Sequence, residues 1–213
     1  MNQSSGLVPE PPLRETSGVT GVVLAGGKSR RMGRDKLPLI VGGNPLLDRV
    51  CLVLDSCCDE ILVAGGYAPA GARQVPDLRP GRQGPLAGIE TGLLAARHRA
   101  VFVAAGDMPF LTGDLVGYLL GLLSGDVQAV VPDLGGRVHP LCAAYGREVR
   151  SAVSTTLDCG TRSVRELLEA LPGVRYVRQE ELRRFGNPDL LLMNVNSPED
   201  LDRARKALSG GEG

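Results

Sequence analysis

The sequence has no tryptophan, and aromatic residues make up only 3% of its 213 residues. A protein that binds single-stranded nucleic acid by base stacking needs exposed aromatic rings, so this composition argues against such a platform. An excess of one charge is also missing, because 24 basic residues balance 24 acidic ones. A dedicated nucleic-acid binder is normally strongly basic. We therefore expect no nucleic acid among the partners.

Long hydrophobic runs are absent as well. The nearest candidate for a membrane helix, residues 115–123, falls well short of the roughly 18 apolar residues required and predicts a buried helix instead. Residues 1–18 lack the basic start and apolar centre of a signal peptide, and we expect a disordered tail there. Residues 209–213 are expected to be a flexible tail. We expect the remaining residues, 19–208, to form a single domain. We also expect the protein to make no contact with a membrane and to be located in the cytoplasm.

Cysteines in paired spacings are missing too. None of the five forms a C-x-x-C motif, which a zinc site would normally require. We expect them to be small buried side chains of a protein from a reducing compartment. They are Cys51, Cys57, Cys58, Cys142 and Cys159.

What the sequence does have is 29 glycines and a regular alternation of short apolar runs with helical patterns. Apolar runs without polar alternation are typical of strands that are covered on both faces. We predict strands at residues 21–25, 61–64, 74–75, 101–105 and 128–131, and a strand-like run at 190–193. We predict helices at residues 45–56 with Asn44 as N-cap, 86–98, 112–123, 163–171 and 197–208. This alternation predicts an α/β fold with a mainly parallel sheet.

The segment after the first predicted strand combines glycines with cations. Residues 28–36 hold five basic side chains and one acidic side chain, within a chain of zero net charge. Gly26, Gly27 and Gly33 allow backbone amides to approach a ligand closely. Amides and cations together suit a polyphosphate, although the spacing fits neither the P-loop nor the dinucleotide-binding motif. The loop therefore predicts a phosphate-binding site of another kind.

Two acidic residues follow other predicted strands. Asp77 comes after residues 74–75, and Asp107 comes after residues 101–105. Ligands of such sheets bind beyond the carboxyl ends of the strands, so both carboxylates are expected on the same rim as the phosphate loop. A carboxylate there either pairs with the cations of the loop or holds Mg²⁺ against bound phosphates. The spacing alone leaves both possibilities open.

Residues 24–36, LAGGKSRRMGRDK, resemble the signature loop of nucleotidyltransferases with a Rossmann-like domain. Their Leu-Ala-Gly-Gly start and Asp-Lys end are most similar to the molybdenum cofactor guanylyltransferase family. Four further segments agree with this family in order and approximate spacing: GPLAG at 84–88, GDMPF at 106–110, HP at 139–140 and NVNSPEDL at 194–201. The resemblance spans residues 18–208 and implies a three-layer Rossmann-like nucleotidyltransferase fold.

The resemblance also implies a reaction, in which GMP passes from GTP to molybdenum-bound molybdopterin and pyrophosphate is released. Carried over by position, the catalytic residues would be Lys36, Arg31 and Asp107, and Asp107 would bind a Mg²⁺ cofactor. The nucleotide-binding residues would be Leu24, Ala25, Gly26, Gly27, Lys36, Asp77 and Asp107. The second substrate would lie near Asn194 and Asn196. Other cofactor-biosynthesis proteins and acceptor molybdoenzymes are expected as further partners.

Several alternatives stay open on the residues alone. A cytidylyltransferase acting on molybdopterin, or another nucleotidyltransferase, would use the same loop and carboxylate, whereas a non-catalytic nucleotide-binding or cofactor-delivery module would not need the metal carboxylate. Residues 84–88 suit either a guanine edge or tight helix packing. Asn194 and Asn196 suit either the second substrate or turn contacts, and His139 is expected to be a hydrogen-bonded loop histidine. The family often has an Asn after the second strand, where this chain has residues 64–66, Ala-Gly-Gly.

Overall fold

The structure is a computed structural model, and it describes residues 16–26, 38–79 and 84–209. The strands in these ranges are β1 (Thr16–Leu24), β2 (Ile40–Val41), β3 (Asn44–Pro45), β4 (Glu60–Ala64), β5 (Arg73–Val75), β6 (His98–Ala105), β7 (Ala129–Leu134), β8 (Arg137–Val138), β9 (Cys142–Gly146) and β10 (Val174–Arg178). The α-helices are α1 (Leu46–Asp55), α2 (Pro85–Ala95), α3 (Gly113–Gly121), α4 (Arg150–Asp158), α5 (Val164–Ala170), α6 (Gln179–Leu182), α7 (Pro188–Leu191) and α8 (Pro198–Ser209). Short 3₁₀ turns occupy Arg147–Val149 and Arg183–Phe185. None of the helices in the described ranges is long and apolar enough to cross a bilayer.

The main sheet has its strands in the order β10-β7-β9-β6-β1-β4-β5, and β8 pairs with β7. The pairs β6-β1, β1-β4, β4-β5 and β7-β10 are parallel, whereas β9 is antiparallel to both of its neighbours. The predicted mainly parallel sheet is therefore confirmed. Strand β9 was not predicted from the sequence, because alanine and glycine, three of its five residues CAAYG, are depleted in strands; burial on both faces holds it in the sheet.

Helices cover both faces of this sheet, which makes three layers. Alternate residues of β1 and β6 point to opposite faces. Val22 and Val103 pack in the layer of α2, α4 and α5, whereas Val23 and Phe102 pack in the layer of α1 and α3. The apolar runs without polar alternation are explained by this burial on both sides. The predicted three-layer α/β architecture is confirmed.

Helix α2 lies very close to β1 because two glycines face the strand. A Cβ atom added at Gly92 would lie 2.5 Å from Cγ1 of Val22, and one added at Gly88 would lie 3.1 Å from Cδ2 of Leu24. Gly88 and Gly92 are four residues apart and therefore share one face of the helix. Because neither glycine has a side chain, α2 can pack this close to β1.

The predicted N-cap at Asn44 is wrong. Asn44 and Pro45 form β3, which pairs with β2 as a two-stranded hairpin, and α1 begins at Leu46. The connecting residues Gly42 and Gly43 have φ angles of 57° and 84°, the conformation that a tight two-residue hairpin turn requires. The Gly-Gly pair is the turn signal that competes with the Asn-Pro helix signal, and it decides the local structure.

Other boundaries also differ from the sequence prediction. Residues 190–191, the first half of the run 190–193 predicted as strand-like, belong to helix α7, because Asn187 caps Asp189 N–H at 3.0 Å and Pro188 occupies the first helical position. Strand β1 begins at Thr16, so the last three residues of the predicted tail 1–18 belong to the sheet. Helix α8 extends through Ser209, the first residue of the predicted C-terminal tail.

All five cysteines have free thiols. Burial raises the pKa of the Cys51 thiol and the Cys142 thiol to about 12, so both are protonated at neutral pH. Cys159 is exposed at the end of α4, against the expectation that all five are buried.

Candidate active site

The carboxyl ends of β6, β1 and β4 lie side by side on one rim of the sheet. Leu24 is opposite Ala105 in the parallel pairing of β1 with β6, and Gly106 N–H donates a 3.1 Å hydrogen bond to the Leu24 carbonyl. On the other side of β1, Ala25 N–H donates to the Ala64 carbonyl at 2.9 Å. The loops that follow these three strands therefore begin next to one another.

The loop predicted to bind phosphates is described only at its start. Leu24 is half-buried, Ala25 is buried and Gly26 is exposed. The other predicted members, Gly27, Arg31 and Lys36, lie outside the described residues. Their roles stay predictions, but the place where the loop leaves the sheet is adjacent to the end of β6.

Asp107 follows β6 and is held there by a distant segment. Its side chain is buried, with 6% of the residue exposed. The side-chain amide of Asn194 donates a 2.6 Å hydrogen bond to Oδ1 of Asp107, and Val195 N–H donates a 2.9 Å hydrogen bond to the Asp107 carbonyl. The segment after α7 thus places Asn194 beside the carboxylate of Asp107, at the end of β6.

Asn196 has a different position from Asn194. It is exposed, and its backbone N–H donates to Oδ2 of Asp200 at 2.9 Å, as does Ser197 N–H. These bonds satisfy backbone donors at the start of α8. The turn role expected for one of the two asparagines therefore falls to the backbone of Asn196.

Arg49 supports the same loop from α1. Its guanidinium donates two hydrogen bonds to the Pro109 carbonyl, from Nε at 3.2 Å and from Nη2 at 3.1 Å. This contact holds the backbone two residues beyond Asp107. The role of Arg49 was not predicted from the sequence, because its contact joins a helix to a loop 60 positions away.

Two glycines explain the departure from the family pattern after β4. Gly65 and Gly66 have φ angles of 75° and 62°, which side-chain-bearing residues rarely adopt. A Cβ atom at Gly65 would lie 3.2 Å from Cα of Gly26, and one at Gly66 would lie 3.1 Å from Cβ of Ala25. The loop after β4 therefore packs its backbone against the start of the phosphate loop, where any side chain would require the neighbouring atoms to shift by a few tenths of an ångström.

Asp77 lies on the same rim but far from Asp107. It is exposed and follows β5, which is separated from β6 by β4 and β1. Three strand spacings correspond to about 14 Å, so the two carboxylates are too far apart to bind one metal ion. Any shared ligand of Asp77 and Asp107 must be an extended molecule that crosses the ends of β1 and β4.

His139 lies in the turn before β9, at the same rim. Its backbone N–H donates to the Pro132 carbonyl at 2.9 Å, and the carbonyl of Leu141, two residues later, accepts from Ala105 N–H at 2.8 Å. Burial, reinforced by the nearby Arg137 cation, lowers the pKa of His139 to about 4, although Asp133 acts in the opposite direction. Its buried Nε2 has no hydrogen-bond partner among the described residues, contrary to the expected satisfied histidine. At neutral pH this side chain is uncharged.

The chain is similar to known proteins over most of its length. A family model described as MobA-like NTP transferase domain matches residues 21–176. The probable molybdenum cofactor guanylyltransferase of Pelotomaculum thermopropionicum is 37% identical over 190 residues, covering 87% of this chain and 91% of that protein. The molybdenum cofactor guanylyltransferase of Desulfosudis oleivorans is 33% identical over 199 residues, covering 91% and 97%. The chain belongs to the molybdenum cofactor guanylyltransferase family.

A solved structure agrees with this family assignment. The crystal structure of molybdopterin-guanine dinucleotide biosynthesis protein A from Archaeoglobus fulgidus superposes with a TM-score of 0.75 at 28% identity, covering 90% of this chain and 99% of that one. The predicted guanylyltransferase family, its nucleotidyltransferase enzyme class and its Rossmann-like fold are confirmed. The residues that bind the substrates remain predictions.

Proposed function

We propose that this protein transfers GMP from GTP, with Mg²⁺, to the phosphate of molybdenum-bound molybdopterin, giving the guanine dinucleotide cofactor and pyrophosphate. The observation that carries the proposal is the hydrogen-bonded pair of Asp107 and Asn194, which lies beside the strand end where the glycine- and arginine-rich loop begins. The names of the relatives support guanine as the base and molybdopterin as the acceptor.

The chemistry of Asp107 suits Mg²⁺. Carboxylate oxygens are preferred ligands of this ion, which proteins usually hold through one or two carboxylates together with substrate phosphates. Asn194 orients the carboxylate through its bond to Oδ1, and Arg49 fixes the backbone beyond it. When bound, Mg²⁺ would neutralise negative charge that develops on the phosphates during transfer. Asp107 is the residue that would hold it.

The nucleotide is proposed to lie across the rim. Backbone amides of residues 24–27 would approach it, Lys36 would bind its phosphates, and Arg31 would stabilise the departing pyrophosphate. Asp77 would contact the nucleoside at the β5 end. The separation of about 14 Å between the ends of β5 and β6 supports this arrangement, because a nucleoside triphosphate is extended.

The reaction requires little acid–base chemistry from the protein. An oxygen of the molybdopterin phosphate attacks the α-phosphorus of GTP, the new P–O bond forms, and the bond to pyrophosphate breaks. The nucleophile is already anionic at neutral pH, so no general base has to remove a proton. Catalysis then depends on positioning two anions and offsetting their repulsion, which the loop cations would do directly and Asp107 would do through the Mg²⁺ that it would hold.

The second substrate is proposed to lie on the β6 side of the site, near Asn194 and Asn196. Asn194 has its amide beside Asp107, which supports a position close to the reacting phosphates. We propose other cofactor-biosynthesis proteins or acceptor molybdoenzymes as the partners that receive the product. The five free thiols support a reducing compartment, and we propose the cytoplasm.

The test is a comparison of four nucleotides. Purified protein is incubated with Mg²⁺, molybdenum-bound molybdopterin and GTP, ATP, CTP or UTP in turn, and released pyrophosphate is measured. The proposal expects release with GTP that depends on both Mg²⁺ and the acceptor. Preferential use of CTP would instead identify a cytidylyltransferase. Nucleotide binding without pyrophosphate release in all four reactions would identify a non-catalytic module.

A further inference from the structure

Helix α2 carries two buried polar residues on an otherwise apolar surface. Glu90 is 3% exposed and Thr91 is 1% exposed. A buried carboxylate is costly unless it is paired and fully hydrogen-bonded. Glu90 meets this condition through two hydrogen bonds from Arg79, Nε to Oε2 at 2.6 Å and Nη2 to Oε1 at 2.7 Å, and through one from Ser154 Oγ to Oε1 at 2.7 Å. These bonds, above all those from Arg79, hold the pKa of Glu90 below its usual value.

Arg79 also connects α2 to α4. Its Nη1 donates to Oδ1 of Asp158 at 2.7 Å, and its Nη2 donates to the Ser154 carbonyl at 3.4 Å. One guanidinium therefore joins the segment after β5 to two helices of the same layer. We call Arg79, Glu90, Ser154 and Asp158 the Arg79 clamp.

The residue before Arg79 is held in the same way. Leu78 N–H donates to Thr91 Oγ1 at 3.3 Å, while the Leu78 side chain is exposed. Apolar burial therefore does not fix this segment, and two consecutive polar contacts to α2 do. Asp77 immediately precedes these contacts, and Gly84, the N-cap of α2, lies five residues after Arg79.

We propose that Arg79 and Glu90 are positioning residues for the nucleoside of the GTP substrate: their ion pair fixes Asp77 relative to the N-terminus of α2. The inference rests on the proposed function, in which Asp77 contacts the nucleoside, and on the interpretation of residues 84–88, at the start of α2, as the segment that approaches the guanine edge. A bidentate arginine–carboxylate pair constrains direction as well as distance, which a packed apolar pair does not. The clamp acts through Asp77 and α2 and has no contact with the reacting phosphates in this proposal.

The experiment compares Glu90→Gln with the double variant Arg79→Met/Glu90→Met in the full chain. We measure the Kd of Mg-GTP by calorimetry, kcat and KM for each substrate, and Tm. Glu90→Gln is expected to raise the Kd and KM for GTP roughly tenfold through misplacement of the nucleoside contacts, with kcat and the KM for molybdopterin changed less than about twofold. The double variant removes both charges, so its Tm is expected to be closer to that of the wild type than the Tm of Glu90→Gln is. Its weak GTP binding is expected to persist.

A matched control is available on the surface of the same layer. Glu169→Gln removes the exposed ion pair with Arg165, which spans one turn of α5 at 3.0 Å, and it is expected to leave GTP binding unchanged. Wild-type GTP affinity in Glu90→Gln would overturn the inference. So would recovery of GTP affinity together with Tm in the double variant, because the clamp would then act only on stability. Failure of the wild-type protein to bind GTP would instead refute the proposed function, and the inference with it.

Discussion

The side-chain amide of Asn194 donates a 2.6 Å hydrogen bond to Oδ1 of Asp107, joining two residues that are 87 positions apart. Asp107 is placed by the end of β6, and Asn194 is placed by the segment between α7 and α8. The hydrogen bond from Val195 N–H to the Asp107 carbonyl joins the same two segments at a second point. The carboxylate therefore has a defined direction before any ligand binds, as a preorganised electrostatic site requires.

Asp107→Ala tests the carboxylate itself. We expect kcat for GMP transfer to fall by at least roughly 100-fold, because a principal transition-state electrostatic group is lost. The rate of pyrophosphate release with saturating GTP and acceptor measures this. Asp202→Ala, which removes an exposed carboxylate from α8, serves as the control and is expected to keep the wild-type rate. A near-normal rate in Asp107→Ala would rule out the proposed metal role.

Asn194→Ala tests the orientation of that carboxylate. Asp107 keeps its charge but loses the bond to Oδ1, so we expect a smaller loss of kcat than in Asp107→Ala, about tenfold. The Mg²⁺ concentration needed for half-maximal activity is expected to rise, which a general loss of stability would not cause. A titration of activity against Mg²⁺ measures it. An unchanged Mg²⁺ requirement with a raised KM for molybdopterin would assign Asn194 to the second substrate alone.

The sequence predicted β1, β4 and β6 and the rim that they share correctly because the signals of these strands are local. Continuous apolar runs identified β1, β4 and β6, and a polar or glycine residue after each run identified the carboxyl ends. The contact of Asn194 with Asp107 carried no such signal, since it depends on how a distant chain segment returns to the sheet. The ion pair of Arg79 with Glu90 was missed for the same reason, because it joins a loop to a helix face.

Errors in the prediction arose where two local signals competed. Asn44-Pro45 favours a helix start, but Gly42-Gly43 just before it favours a hairpin turn, and the hairpin forms. Residues 142–146 were not predicted as strand because alanine, cysteine and glycine have weak strand propensity. These residues nevertheless pair with β6 and β7, where tertiary burial, including that of the large Tyr145 side chain, overrides propensity.

His139→Gln tests the pH dependence of stability. The pKa of His139 is about 4 in the folded protein and about 6.5 in an unfolded chain. Between these values only the unfolded state takes up the proton, so the free energy of unfolding falls as the pH drops from 6.5 to 4. We expect this residue to contribute about 2 kcal/mol to that fall, after allowance for partial exposure.

Urea unfolding of wild type and His139→Gln at pH 4.5 and pH 7 isolates this contribution from the carboxylates that titrate in the same range. The variant is expected to lose less stability than the wild type on acidification, since Gln has no titratable nitrogen. Arg137 and Asp133 remain in both proteins, so the comparison removes only the imidazole. An equal loss in the two proteins would show that His139 titrates normally in the folded state.

Gly92→Ala tests the close packing of α2 on β1. The added Cβ would lie 2.5 Å from Cγ1 and 2.9 Å from Cγ2 of Val22, both on a short stiff side chain in the buried layer. We expect the free energy of unfolding to fall by about 1–3 kcal/mol through overpacking. Gly117→Ala makes the same change on α3, where nothing lies within 4 Å, and is expected to stabilise the protein by about 0.5–1 kcal/mol. Urea unfolding measures the free energy of unfolding of both variants. Adding Val22→Ala to Gly92→Ala is expected to relieve the clash. Equal stabilisation by the two Gly→Ala variants would mean that α2 does not pack on β1 at this depth.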